Sequence, residues 1–247
     1  MAKFQKGERV IFADDDGNKH RGKITDVLPK KKRAKVVTDT NQRLEVPVRR
    51  IRPSPDKVLI LEARLDRNLK SRRLYGDMFR QWLSAYNVET LYERVHTVED
   101  VRRFLAREGR DVSTLVIHVM CHGEDLPGRR RARLCLTLYK LDLVKDKNVF
   151  ENLEGKIVIF SCCEIGDDIK AMEEIKQISQ ASAIISYRKS VLDSYTNLTE
   201  VLLYDRLINT RKHPRIIVDQ IQKLLRDLGV RFTDINEKAS KPVLVCV

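Results

Sequence analysis

The stretch from Lys156 to Gly166, KIVIFSCCEIG, restricts this chain more than any other. Its apolar run, Ile157-Val158-Ile159-Phe160, is short, rich in β-branched residues and bounded by turn residues, which reads as a strand of a parallel sheet buried on both faces. In an open α/β sheet, ligands sit just beyond the carboxyl ends of the strands. Cys162 and Cys163 therefore fall where chemistry is usually done. Thr114 to Asp125, TLVIHVMCHGED, repeats the pattern and ends in His122-Gly123. Two neighbouring parallel strands that end in this way bring an imidazole and a thiol together. Position 163 follows position 122 by 41 residues, room for one crossover connection.

The rest of residues 58–247 alternates strand-like and helix-like segments, which predicts an α/β fold with a mostly parallel sheet and helices on both faces. Val58 to Leu61 is the first strand. A helix is expected from Ser71 to Tyr86, with Leu74, Tyr75, Met78, Phe79, Trp82, Leu83 and Tyr86 on its inner face. Val88 to Tyr92 is a strand, and Thr97-Val98-Glu99-Asp100 opens a second helix. Leu134 to Tyr139 fits a strand or hairpin arm, and Leu141 to Leu153 a helix. Three further helices are expected: Asp167 to Ser179, Asn197 to Asn209 with Leu198, Val201, Leu202 and Ile208 inward, and one starting at Pro214. The last carries Ile217, Val218, Ile221, Leu224, Leu225 and Leu228 on its apolar face. Ala181 to Tyr187 and Val243 to Val247 complete the strands.

Residues 1–52 have a different grammar. Short β-rich pieces recur about every ten residues with turn signals between them, the mark of a small all-β barrel. Arg52-Pro53-Ser54-Pro55-Asp56 reads as an extended spacer, so the organisation expected is a barrel at 1–52, a linker at 53–57 and an α/β domain at 58–247. The net charge of +13 is uneven: residues 1–55 hold 15 Lys and Arg against 7 Asp and Glu. A negatively charged partner for the barrel, protein or nucleic acid, fits that imbalance as well as a solvated surface does. Few aromatic residues lie there, which argues against base stacking. Five cysteines without framework-like spacing fit a reducing compartment, no apolar run reaches the roughly 18 residues of a membrane span, and the amino terminus lacks a signal-like apolar region. A cytoplasmic protein with no membrane partner is expected.

A cysteine attacks as its thiolate, and a nearby imidazole makes that form available near neutral pH. Acyl transfer also needs donors for the oxyanion, for which the N–H groups of Gly123 and Cys163 are placed. His118, deep in its apolar run, is expected to be a core histidine. Cys121, His122, Cys162 and Cys163 could together resemble a zinc site, but adjacent cysteines are poor ligand spacing; no metal and no cofactor is expected.

An apolar strand ending in His-Gly, followed some forty to fifty residues later by one ending in Cys, resembles the caspase-like cysteine peptidases. Ser161-Cys162-Cys163-Glu164-Ile165-Gly166 looks especially like the Ser-Ala-Cys-Glu-Thr-Gly of the CHAT branch, with Cys162 in place of Ala and Ile165 in place of Thr. The resemblance covers about residues 58–190. It implies a His122–Cys163 dyad acting on a protein substrate, Cys163 as nucleophile, and a role in bacterial defence or cell death through cleavage of a partner. Relatives that cut after basic residues use an acidic pocket, for which Asp193 and Glu164 are available. The basic run Arg129, Arg130, Arg131 and Arg133 would suit self-processing. The pattern of Gly7-Glu8-Arg9-Val10, Gly22-Lys23-Ile24 and Val46 to Ile51 resembles Tudor-like barrels, which implies a recruitment role. A non-catalytic caspase-like scaffold and a nucleic-acid-binding adaptor are the competing readings.

Overall fold

The computed structural model describes residues 4–38, 41–53, 57–64, 74–108, 111, 114–124, 132–210, 212–230 and 242–247. The chain divides into two compact units, one built on residues up to 56 together with 204–212, the other on 57–203 and 213–247.

The first unit is an antiparallel sheet of β1 (Arg9–Ala13), β2 (Lys19–Leu28), β3 (Arg33–Thr38), β4 (Arg43–Pro47) and β5 (Arg52–Pro53), in the order β4-β3-β2-β1-β5. Period-two alternation makes it one-sided: β3 buries Ala34, Val36 and Thr38 and turns Lys35 outward. Val10, Phe12, Ile24, Ala34, Val36, Val46 and Ile51 form its core. The β2–β3 register slips between Ile24 and Asp26, an irregularity that bends and twists a strand. The barrel expected from the turn spacing is a curled half-barrel. Its ladders run linearly from β4 to β5, and among the described residues none joins those two ends. β5 pairs with β1 and reaches Pro53, the first residue of the expected spacer. A proline without an N–H is accommodated because β5 is an edge strand. Residues 54–56 of that spacer lie outside the described residues.

The second unit is built on a six-stranded sheet. Its strands are β6 (Lys57–Glu62), β7 (Glu89–Arg94), β8 (Thr114–Met120), β12 (Ile157–Ser161), β13 (Ala183–Tyr187) and β14 (Leu244–Cys246). The order is β14-β13-β12-β8-β6-β7, parallel throughout except for the antiparallel edge β14. Between β8 and β12 the chain forms a small antiparallel sheet, β9 (His122–Glu124), β10 (Arg133–Cys135) and β11 (Lys140–Asp142). The helices are α1 (Tyr75–Ala85), α2 (Val98–Glu108), α3 (Ile169–Ser179), α4 (Asp193–Asn209), whose residues from Tyr204 on are counted with the first unit, and α5 (Pro214–Asp227). The central strands are apolar on both faces, as two-sided burial requires. Leu59, Leu61, Ile117, Val119, Val158 and Phe160 join Val101, Phe104 and Leu105 of α2 and Met172 and Ile175 of α3 in one core. The alternate row Ile60, His118 and Ile159, in register across three strands, points the other way, and there the Phe79 ring of α1 lies 5.8 Å from His118.

Carboxylates cap the starts of α1, α2 and α3. Thr97 Oγ1 accepts from Asp100 N (3.1 Å) while Asp100 Oδ2 accepts from Thr97 N (3.0 Å), a reciprocal cap on α2. Leu74, which precedes α1, has no capping side chain. Buried Glu62, at the end of β6, takes that role: its Oε1 accepts from Tyr75 N (2.9 Å) and Gly76 N (3.3 Å), at the positive end of the helix dipole, and its Oε2 accepts from Tyr92 Oη.

Four expectations about the helices are corrected. Residues 141–153 are not a helix but β11, turns and a 3-10 turn at Lys147–Phe150. Asp142 Oδ1 accepts from Val144 N and Lys145 N (both 3.1 Å), and Asp146 Oδ2 from Asp142 N (3.0 Å), side-chain-to-backbone turns that compete with a continuous helix. On α1 only Gly76, Phe79 and Leu83 are buried; Met78 is 40% exposed, and half-buried Trp82 packs on exposed Tyr86, ring centroids 4.8 Å apart. The start of that expected helix, 71–73, lies outside the described residues. α4 begins four residues early and buries Tyr195, Thr199, Glu200, Leu203, Tyr204, Leu207 and Ile208, leaving Leu198 42% exposed. An apolar stripe could not locate that face because two of its members are polar. On α5 Leu224, and just past its end Leu228, are exposed as well. No helix among the described residues is long and apolar enough to cross a membrane.

Candidate active site

The strands carrying His-Gly and Cys are direct parallel neighbours: β8 and β12 pair from Val116↔Ile157 to Met120↔Ser161, and Cys121 N extends the ladder to Ser161 O (3.4 Å). One cleft at their carboxyl ends is lined by Tyr75, Cys121, His122, Ser161, Cys162, Cys163 and Asp193, among others. His122 is exposed and Cys163 half-buried.

Gly123 fixes how closely the two strand ends meet. A Cβ built on it would overlap the carbonyl oxygen of Cys163, with the carbonyl carbon at 3.0 Å and Ile165 Cγ1 at 2.9 Å. Only the bare Cα of glycine permits that approach. The Cys163 carbonyl is also held by Ile165 N at 2.8 Å. Glu164 takes the left-handed conformation (φ 66°), which turns the chain sharply out of β12. α3 then starts at Ile169, two residues later than expected, capped by Asp168 Oδ1 accepting from Ala171 N (3.1 Å).

Alternation separates the two cysteines. Cys121 and Cys162 join the core of Val119, Phe160 and α2 and α3, and their sulfurs touch at 3.2 Å. Cys162 is 1% exposed, and burial, then its contact with Cys121, raises its thiol well above the usual range. Cys163 faces the other way, its Sγ 3.9 Å from Val191 O. Cys135 sits directly across from His122 in the β9–β10 pair, half-buried, with its thiol raised by burial.

Beneath the cleft lies a polar network that sequence reasoning missed. Ser161 Oγ donates to Glu200 Oε1 and contacts His118 Nε2. Tyr187 Oη donates to the same Glu200 oxygen at 3.3 Å. His118 Nε2 lies 3.3 Å from Glu200 Oε2, and both side chains are 0% exposed. Ser161 Oγ thus lies between the His118 ring and the Glu200 carboxyl group. This is not a Ser-His-acid relay, because serine and carboxylate both face the same ring nitrogen. His118 is the core histidine expected, with partners on β12 and α4. One signal was legible: His118 and Ser161 share the strand parity of His122 and Cys163. Glu200, 39 residues after Ser161, had no such mark.

Asp193 opens α4, and its Oδ2 accepts from Tyr75 Oη at 2.8 Å, so both sit at the cleft. Glu164 is not among the residues lining it. Arg133 lies in β10, 3.6 Å from Asp142 Oδ2 and 3.8 Å from Glu124 Oε2. Arg129, Arg130 and Arg131 lie outside the described residues.

No protein-family model matches the sequence, and no curated protein matches it. The structure is similar to the crystal structure of the Drosophila initiator caspase Dronc, with a TM-score of 0.50 and 11% identity, over 79% of this chain and 81% of that one. At that identity the likeness is one of fold. The second unit has the caspase-like α/β fold, and a curled antiparallel sheet precedes it.

Proposed function

We propose that this protein is a cysteine endopeptidase that cleaves a partner protein through His122 and Cys163. The observation that carries the reading is the contact of Gly123 with the Cys163 carbonyl, which seats an imidazole and the more exposed of two adjacent thiols at one cleft. His122 takes the thiol proton, and the Cys163 sulfur attacks the scissile carbonyl. The N–H groups of Gly123 and Cys163 receive the oxyanion. His122 then protonates the leaving amine, and water, activated by the same ring, releases the acyl group. Asp193, held by Tyr75 at the cleft, suits a basic residue on the amino side of the cut. The CHAT-like assignment rests on the motif at 161–166, and self-processing in the run Arg129 to Arg131 belongs to the same reading.

The test is a panel of arginine-containing fluorogenic peptides with the wild-type protein, Cys163→Ala and Cys162→Ala. Cleavage by wild type and Cys162→Ala, lost in Cys163→Ala, is expected. Equal cleavage by wild type and Cys163→Ala sinks the proposal.

A second role is suggested by the first unit. Val48 N donates to Lys32 O (3.0 Å), which sets the Pro29–Lys31 turn beside the Val48–Arg50 turn. Lys30, Lys31, Lys32 and Arg49 are exposed there. We infer recruitment of a polyanionic partner, with nucleic acid as the form to test. Binding that weakens steeply with salt and persists in Cys163→Ala supports it; binding to no nucleic acid at low salt turns the search to an acidic protein.

A further inference from the structure

We propose that Cys121 and Cys162 are a redox dithiol site, which a hydroperoxide converts to a disulfide linking β8 to β12. Three observations carry this. The sulfurs are already in contact at 3.2 Å. The two residues occupy successive register positions, since each follows a member of the Met120↔Ser161 pair and Cys121 N still bonds Ser161 O. Adjacent strands run about 4.8 Å apart, inside the Cα range a disulfide tolerates, so closing to about 2.05 Å between sulfurs asks for side-chain adjustment rather than strand separation. Both residues also line the cleft, which gives a small oxidant a route to a pair otherwise enclosed in the core.

The chemistry balances within the pair. One sulfur attacks the peroxide O–O bond and takes its hydroxyl to become a sulfenic acid, and the other oxygen leaves with the thiol proton as water, or as the alcohol when the hydroperoxide is organic. The other attacks that sulfenic sulfur; the S–S bond forms, the S–O bond breaks, and hydroxide leaves with the second thiol proton as water. Two thiols are oxidised and one hydroperoxide is reduced. The bond would join the residues immediately before His122 and Cys163, and thiol reductant reverses it. Neither the vicinal pair Cys162–Cys163 nor Cys135 has a sulfur contact of this kind.

The proposal does not depend on the peptidase reading, and its test reads mass rather than activity. Full-length reduced protein is treated with hydrogen peroxide, remaining thiols are alkylated, and the digest is mapped by mass spectrometry with and without dithiothreitol. A reducible cross-link joining the Cys121 and Cys162 peptides is expected, in wild type and in Cys163→Ala alike. Recovery of Cys121 and Cys162 both alkylated after peroxide, or of Cys162 joined to Cys163, overturns it. Loss of the cross-link in Cys163→Ala also overturns it, because the bond would then form by way of the third sulfur. A cross-link in a protein whose reduced form shows no peptidase activity would leave this site standing and count against the peptidase reading alone.

Discussion

The two units treat polar groups in opposite ways. In the half-barrel, alternation sends charge outward: the Arg33–Glu45 pair sits on side chains that are 42% and 39% exposed, and the buried side is apolar except for Thr38 among the described residues. In the α/β unit the sheet is covered on both faces, so a polar side chain on a central strand has no outward direction. Glu62, His118 and Ser186 are buried there, and each is satisfied by a specific partner. Burying an ionisable group is unfavourable unless it is paired and hydrogen-bonded. Such groups therefore mark positions where the fold depends on side-chain chemistry, and the His118–Ser161–Glu200 network sits directly under the cleft.

The sharpest test of that contrast is Glu200→Ala. It leaves His118, Ser161 and Tyr187 facing an apolar gap, and a loss of about 3–5 kcal/mol is expected in denaturant unfolding. A loss below about 1 kcal/mol would mean the network is no more than a surface pair. Next comes Gly123→Ala, which forces a methyl group against the Cys163 carbonyl. Overpacking of this kind costs about 1–3 kcal/mol, and peptide cleavage is expected to fall by more than the stability loss explains. Retained activity would show that the strand ends tolerate separation.

In the half-barrel the effects shrink. Arg33→Ala is expected to change stability by no more than about 0.5 kcal/mol, the range of exposed ion pairs, and a larger loss measured by thermal melting would erase the contrast. The last test is a pH signature. The hydrogen bond from His20, helped by Asn18 against the opposing effect of burial, lowers the Asp14 carboxyl to about 2 from an ordinary 3.8. A depressed folded pKa gives stability that is present above the unfolded value and lost as pH falls through the folded one. Asp14→Asn should therefore melt lower than wild type above pH 4 and converge with it near pH 2; a constant gap would assign the effect to shape.

Much of this was legible in residues 114–125 and 156–166, where two apolar runs with His-Gly and Cys-Cys at their ends placed both strands, their parallel neighbourhood and the cleft. The half-barrel strands were equally legible, because Asp14 to Asn18 and Pro29 to Lys32 are turn-forming sequences between alternating pieces. Residues 141–153 misled because Asp142 and Asp146 satisfy backbone donors locally, a preference that apolar spacing does not register. The inner face of α4 misled because it contains Thr199 and Glu200, whose burial depends on partners far away in the chain.

Local pattern thus determined where elements lie and which strand ends carry a thiol and an imidazole, since period and turn chemistry act over a few residues. Only the tertiary structure decided that Cys162 packs against Cys121 in the core while Cys163 turns to the opposite side. It alone decided that Gly123 must lie against the Cys163 carbonyl, and that Glu200 reaches Ser161 and His118. Those choices follow from which strands pair, in which register, and under which helix, and such long-range contacts leave no spacing in the sequence to be read.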